Sequence, residues 1–210
     1  TFFVRVSRSG AAWFVATMKG QFMRSIIQLA HVSLDGYLAG PNREMDFITF
    51  DNEIADYVYP LMRTVDTSIY GRTTFQMMDG YWPSVVDDAN ATEGEKGHAR
   101  WYAGVKKIVA SRTLPAQTGQ VTIAGDDIVS VVAAAKQQAG GDMMIFASPT
   151  LSHALSAAGL IDEWRLTWQP VIVGGGLPLF GGKEARSKLE LRSSRTFSSG
   201  VVATHHVVKR

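Results

Sequence analysis

Short apolar strands alternate with amphipathic helices along most of this 210-residue chain. Runs of β-branched and apolar residues predict buried strands, and the first run is closed by the turn residues Asp35 and Gly36. Between these runs, apolar residues recur at helical spacing and glycines mark helix ends. The predicted strands are residues 25–32, 66–70, 106–110, 121–125 and 143–147, and the predicted helices are residues 51–63, 72–78, 91–104, 127–140 and 149–159.

This regular alternation favours a parallel sheet with helices on both faces. After residue 164 the helical pattern stops, and residues 189–199 and 201–209 predict a β-hairpin that turns at Gly200. We therefore predict an α/β fold with a mixed, mainly parallel sheet, flanked by helices and finished by a C-terminal antiparallel hairpin. A chain of this length and 46% hydrophobic content can bury one substantial core.

Residues 23–210 are predicted to form that single domain, and residues 1–22 are predicted to be an extension outside it. The basic and apolar mixture of residues 1–22 also fits a targeting peptide. Against this alternative, its apolar stretch AAWFVATM is short and no clear cleavage site follows it. An upstream extension is the plainer interpretation.

Composition narrows the classes of partner. The net charge of +2, from 21 basic and 19 acidic residues, is too balanced to indicate a nucleic-acid surface or an anionic membrane. No apolar run reaches the roughly 18 residues of a membrane span. The sequence has no cysteine, which excludes disulfides and thiolate metal sites and is compatible with the cytoplasm, the location we expect. The five histidines are dispersed, so we predict no metal site.

Three predicted strands end in turns that could hold phosphate. Residues 71–74 and 147–151 each lead into a helix, whose first N–H groups and positive dipole end attract anions. Residues 111–113 add an arginine and a serine hydroxyl at a third strand end. Ordinary capped helices and a solvated polar turn are the simpler alternatives. The glycine-rich residues 174–182 match neither a Walker nor a Rossmann motif, and we predict a close-packed turn there.

Five segments together resemble a known family: SLDGYLAGPNREMDF (33–47), YGRTTFQ (70–76), IVASRTL (108–114), IFASPTLSHALSAAGLIDEW (145–164) and PVIVGGGLPLF (170–180). In order and spacing they are similar to the dihydrofolate reductase-like superfamily, in the branch that contains the C-terminal reductase domain of bacterial riboflavin biosynthesis proteins. The resemblance extends over residues 23–209. It implies a homodimer and NADPH as cofactor.

The resemblance also implies which residues contact NADPH. Arg72 corresponds to an arginine near the adenosine 2′-phosphate, and Thr73 and Thr74 to residues near the pyrophosphate. At residues 147 and 148, dihydrofolate reductases have two glycines joined by a cis peptide bond. The full implied set is Ala30, Gly71, Arg72, Thr73, Thr74, Ser111, Arg112, Thr113, Ala147, Ser148, Pro149, Thr150 and Leu151.

The acid that would supply a proton is less well marked. Asp46 and Asp51 follow the first strand and are the candidate catalytic residues, whereas Asp35 is expected to organise a turn. The function implied is an NADPH-dependent reductase that transfers hydride to a small C=O or C=N substrate, which could be a pteridine, a pyrimidine or a sugar derivative. The alternative is a non-catalytic nucleotide-binding or regulatory paralogue of the same fold.

Overall fold

The computed structural model describes residues 24–181 and 186–210, so the predicted extension at 1–22 lies outside the described residues. The strands are β1 (Ile26–Ser33), β2 (Tyr37–Ala39), β3 (Val65–Gly71), β4 (Lys106–Ala110), β5 (Val121–Ala124), β6 (Asp142–Phe146), β7 (Glu163–Gln169), β8 (Leu177–Pro178), β9 (Lys188–Thr196) and β10 (Val202–Lys209). The helices are α1 (Asn52–Val58), α2 (Arg72–Val85), α3 (Glu93–Gly104), α4 (Ile128–Lys136) and α5 (Pro149–Ala157), and a 3₁₀ helix (Tyr59–Thr64) follows α1. Within the described ranges, none of these helices is long and apolar enough to span a membrane.

Eight strands form one sheet in the order β5-β4-β3-β6-β1-β7-β10-β9. The first six are mutually parallel, and β10 is antiparallel to both β7 and β9. The mainly parallel α/β fold and its terminal hairpin, predicted from the sequence, are therefore confirmed. Because β1, β3, β4 and β6 run in one direction, the turns that follow them meet at one edge of the sheet.

The sheet separates two apolar cores, and β1 contributes to both. Its alternate residues Ile26 and Ala30 face α4 and α5, while Ile27 and Leu29 face α1, α2 and α3. Such two-sided burial is typical of a central parallel strand.

Two helices differ most from the predicted spans, and each difference has a physical reason. At Pro60 the α-helical hydrogen bonding changes to a 3₁₀ helix, since proline has no N–H to donate. Helix α2 continues beyond its predicted end at residue 78 to Val85, through Gly80 and Pro83. Trp82 packs against the core in this extension, and its Nε1 donates to the sulfur of Met78 at 3.3 Å. Tertiary contacts thus override weak local helix propensity.

Residues 174–181, the described part of the glycine-rich segment, form the predicted close-packed turn. Strand β8 pairs with β2, and the backbone N–H of Leu179 donates to the Gly36 carbonyl at 2.9 Å. Gly176 has a φ of +127°, and a Cβ there would lie 2.2 Å from the Ala39 carbonyl oxygen. Asp35 accepts from the N–H of Gly174 at 2.7 Å, which confirms its role in organising a turn.

Candidate active site

Two helix N-termini meet at the carboxyl edge of the sheet. Ser148, which precedes α5, accepts a hydrogen bond from the N–H of Gly71 at 2.9 Å and donates to Thr74 Oγ1 at 3.0 Å. Neither α2 nor α5 has a side-chain cap or an acidic residue in its first turn. The first N–H groups of both helices therefore face the same edge with their positive dipole ends uncompensated. This arrangement suits a bound anion.

The turn before α5 has an unusual backbone. Ala147 and Ser148 have φ values of 44° and 50°, in the left-handed region, and the peptide bond between them is trans. The Ala147 carbonyl accepts from Gln28 Nε2 at 3.0 Å and from Ser152 Oγ at 3.2 Å, and Ser152 also donates to Gln28. These buried contacts hold a conformation that costs about 1 to 3 kcal/mol per residue and is typical of ligand-binding turns.

The third strand-end turn lies beside the first. Arg72 donates to Thr113 Oγ1 at 2.9 Å, so the turns after β3 and β4 are in contact. Buried Ser111 accepts from the N–H groups of Thr113 and Leu114 at 3.2 and 3.0 Å. The side chain of Arg112 is 77% exposed, with Asp126 at 3.7 Å. Two arginines therefore stand at the outer side of the helix N-termini.

A cavity of about 360 Å³ opens next to these turns. Three residues of the implied cofactor set line it: Ala30, Thr74 and Ala147. Most of its other walls are methionines, aromatic residues and aliphatic residues from β1, β2, the loop after β2, α1, the 3₁₀ helix, α2 and β6, and α3 adds two polar residues. The full set of these other lining residues is Leu29, His31, Leu38, Met45, Ile48, Phe50, Val58, Tyr59, Met62, Met77, Met78, Tyr81, Trp82, Glu95, His98 and Phe146.

Two histidines bring polar atoms into this apolar wall. His31 on β1 lies with Nδ1 2.5 Å from Thr167 Oγ1, and His98 on α3 is only 5% exposed. Burial lowers the pKa of each to about 4, so both rings are neutral at neutral pH. Burial also raises the pKa of Tyr59 to about 12.

The structure does not bring the two candidate acids to the cavity lining. Asp51 precedes α1 and accepts from the N–H of Ile54 at 3.0 Å, as a helix cap does. Asp46 is exposed in the loop between Met45 and Ile48, which do line the cavity. Their catalytic role stays a prediction. In the part of the chain that the structure describes, no group of three or more His, Asp or Glu residues is placed to hold a metal ion.

Comparison with known proteins identifies the family of the chain. Residues 24–203 match the model of the RibD C-terminal domain family. The chain belongs to this family. It is 34% identical to the uncharacterized protein YyaP of Bacillus subtilis strain 168 over 179 aligned residues. The aligned region covers 85% of this chain and 92% of YyaP.

Solved structures show the fold of this RibD-type domain. One is a diaminohydroxyphosphoribosylaminopyrimidine deaminase/5-amino-6-(5-phosphoribosylamino)uracil reductase from Thermotoga maritima, with a TM-score of 0.64 and 12% identity over 94% of this chain and 60% of that one. Another is a dihydrofolate reductase from Enterococcus faecalis complexed with NADP(H) and RAB-propyl, with a TM-score of 0.59 and 11% identity over 90% and 99% of the two chains. Both confirm the dihydrofolate reductase-like fold, and the family is one of reductase domains.

Sequence reasoning missed His31 and His98 as cavity residues of the RibD-type domain. His31 lies in an apolar strand and His98 in a glycine-containing helix, and neither belongs to a motif. One local signal was available: His98 and Trp101 are three residues apart, so they share a helix face. Two other aromatic neighbours of His98, Tyr59 and Trp82, lie on other elements.

Proposed function

We propose that this RibD-type domain is an NADPH-dependent reductase that transfers hydride to the C=O or C=N group of a small molecule. The observation that carries the proposal is the meeting of two uncapped helix N-termini at Ser148, beside Arg72 and next to an apolar cavity. Family membership supports the reductase class. The cofactor and the hydride acceptor are the proposed parts.

The residues at the sheet edge fit a dinucleotide phosphate. The N-termini of α2 and α5 would bind the pyrophosphate through backbone N–H groups, and Thr73 and Thr74 stand in the first turn of α2. Arg72 and Arg112 would bind the 2′-phosphate through charge-assisted hydrogen bonds. When bound, NADPH supplies the hydride. The apolar cavity beside Ala30 and Ala147 would exclude water from the reacting groups.

Cofactor preference tests the phosphate assignment. Each charge-assisted contact contributes roughly 1.5 to 3 kcal/mol, or about 10- to 150-fold in affinity. Wild type should bind NADPH more tightly than NADH, and Arg72→Ala combined with Arg112→Ala should remove most of that preference. Arg192→Ala is the matched control, because Arg192 lies on β9 at the opposite end of the sheet. Equal affinity of wild type for the two cofactors, measured by calorimetry, would contradict the assignment.

Turnover tests the reductase assignment separately. A panel of carbonyl and imine compounds should contain an acceptor that oxidises NADPH. The loss of the absorbance band of reduced nicotinamide measures this reaction. If NADPH binds but no acceptor is reduced, and deletion of the protein leaves metabolite pools unchanged, a non-catalytic nucleotide-binding paralogue describes the protein better.

The proton donor can be assigned once an acceptor is known. We propose Asp46 as the first candidate, because it stands between two cavity-lining residues, and Asp51 as the second. The pH profile of kcat at saturating NADPH should change in Asp46→Asn or in Asp51→Asn if either carboxyl group delivers the proton. If both variants keep the wild-type rate and pH dependence, neither carboxyl group is the proton donor, and another group or water delivers the proton.

A further inference from the structure

His98 is a buried polar residue without a described partner. Its ring lies 4.1 Å from that of Trp82, 5.1 Å from that of Trp101 and 5.2 Å from that of Tyr59, measured between centroids. Among the described residues, neither of its ring nitrogens has a hydrogen-bond partner. A buried donor or acceptor left unpaired costs about 1 to 3 kcal/mol, so native structures rarely keep one without a reason.

The same histidine lines the cavity described above. A neutral imidazole has one donor and one acceptor nitrogen, so His98 can give a ligand one hydrogen bond of either kind. The cavity has few other hydrogen-bonding groups, because its lining residues are mainly methionine, aromatic and aliphatic. A polar group of the ligand would therefore be fixed by few contacts, as is usual in small-molecule sites.

The charges around the cavity do not favour an anion. Of the described residues that line it, Glu95 alone is charged, and none is lysine or arginine. The Glu95 carboxylate is held at the start of α3, where it accepts from Thr92 N and Oγ1 at 2.7 and 2.8 Å. A neighbouring cavity of about 370 Å³ shares Tyr59, Met62 and His98 with it. That second cavity has two carboxylates, Asp56 and Glu93, against one arginine, Arg63.

The mouth of the cavity is apolar and open. Four large hydrophobic side chains on its lining are between 40% and 52% exposed: Met45, Phe50, Met77 and Tyr81. Exposed apolar residues that cluster around a cleft mark a binding site. Thioether sulfurs and aromatic faces both pack favourably against flat rings.

We propose that this cavity binds an uncharged aromatic compound with a carbonyl or similar polar group, and that His98 fixes that group by a hydrogen bond. The inference rests on the proposed function in one respect: the aromatic compound is the hydride acceptor. It makes His98 a specificity-determining residue, and it disfavours substrates with a phosphate or carboxylate in the cavity.

Three matched naphthalenes test the proposal without NADPH. They are 2-acetylnaphthalene, 2-ethylnaphthalene, which lacks the carbonyl, and 6-acetyl-2-naphthoate, which adds a negative charge. In ligand-detected NMR titrations, wild type should bind the ketone about 2- to 10-fold more tightly than the ethyl compound, the value of one net hydrogen bond. The naphthoate should bind at least about 10-fold more weakly than the ketone, because a carboxylate would lose its hydration in an apolar cavity.

Variants at His98 separate a binding role from a structural one. His98→Phe keeps an aromatic ring in the same place but has no hydrogen-bonding atom, so it should bind the ketone and the ethyl compound equally. His98→Gln, which retains a donor and an acceptor, should recover part of the ketone preference. His206→Phe is the control, since His206 lies on β10 and does not line the cavity.

The outcomes distinguish this proposal from the proposed function. Equal binding of the ketone and ethyl compound to wild type, or binding of the naphthoate as tight as that of the ketone, would overturn the role of the cavity and of His98. NADPH titration of the same samples reports on the cofactor site alone. If His98→Phe does not fold, the affinities of wild type for the three ligands still test whether the cavity prefers an uncharged carbonyl compound.

Discussion

At the scale of single residues, a buried neutral histidine makes stability depend on pH. The pKa of His98 is lowered from its ordinary value of 6.5 to about 4 by burial, so the unfolded chain binds a proton more readily than the folded one between these values. The stability contributed by the neutral ring is fully present above pH 6.5 and is lost as the pH falls through 4. His31, whose pKa is lowered in the same direction, adds to the effect.

We therefore expect the free energy of unfolding to fall with pH below 6.5, by up to about 1.4 kcal/mol per pH unit for His98. Urea unfolding between pH 4.5 and 7.5 measures this slope. His98→Phe should reduce the slope, because its ring has no proton to bind. The same slope in wild type and His98→Phe would show that His98 does not stay neutral in the folded protein.

At the scale of elements, the turn between β6 and α5 stores strain. An alanine in the left-handed region costs roughly 1 kcal/mol or more, and glycine adopts this conformation without that cost. Ala147→Gly should therefore increase the free energy of unfolding by up to about 1 kcal/mol. Ala134→Gly, at an exposed position inside α4, should decrease it by about the same amount. Chemical denaturation compares the two, and a loss of stability in both variants would show that the turn is not strained.

Local sequence patterns were sufficient to predict most helices and strands and part of the candidate site. The apolar runs that form β1, β4 and β6 are bounded by clear turn signals, and the shared direction of the parallel strands places the turns proposed to bind phosphate at one edge. The extension of α2 was not predictable, since Gly80 and Pro83 oppose helix locally and only the packing of Trp82 offsets them. The cavity role of His98 was not predictable either, because two of its aromatic neighbours, Tyr59 and Trp82, are distant from it in sequence.

At the scale of the whole molecule, one end of the sheet has an apolar surface. Phe180, Leu189 and Leu191 are between 41% and 55% exposed at or near the edge strand β9. An exposed edge strand with apolar side chains needs cover, and we propose that a second copy supplies it in a homodimer.

Light scattering at micromolar concentration should give twice the chain mass of 22.9 kDa. Changing both leucines of β9, as Leu189→Glu with Leu191→Glu, should shift the protein to the monomer, since two carboxylates would be desolvated in the interface. Arg192→Ala, at a 53% exposed side chain that directly follows Leu191 in sequence, is the control and should remain dimeric. A wild-type mass near that of one chain would contradict the homodimer.

The order of strands also determines how the two copies would work together. The turns that we propose to bind phosphate follow β3, β4 and β6, whereas the apolar surface lies beyond β1 and β7, at the β10 and β9 end. None of the residues of these turns lies on β9 or β10, so we expect binding in one subunit to leave the contacts across the interface unchanged, and coupling between sites requires such a change. The two sites of a dimer should act without cooperativity: NADPH titrations should follow a simple hyperbola with a Hill coefficient of about 1, and breaking the dimer should leave the affinity per site unchanged.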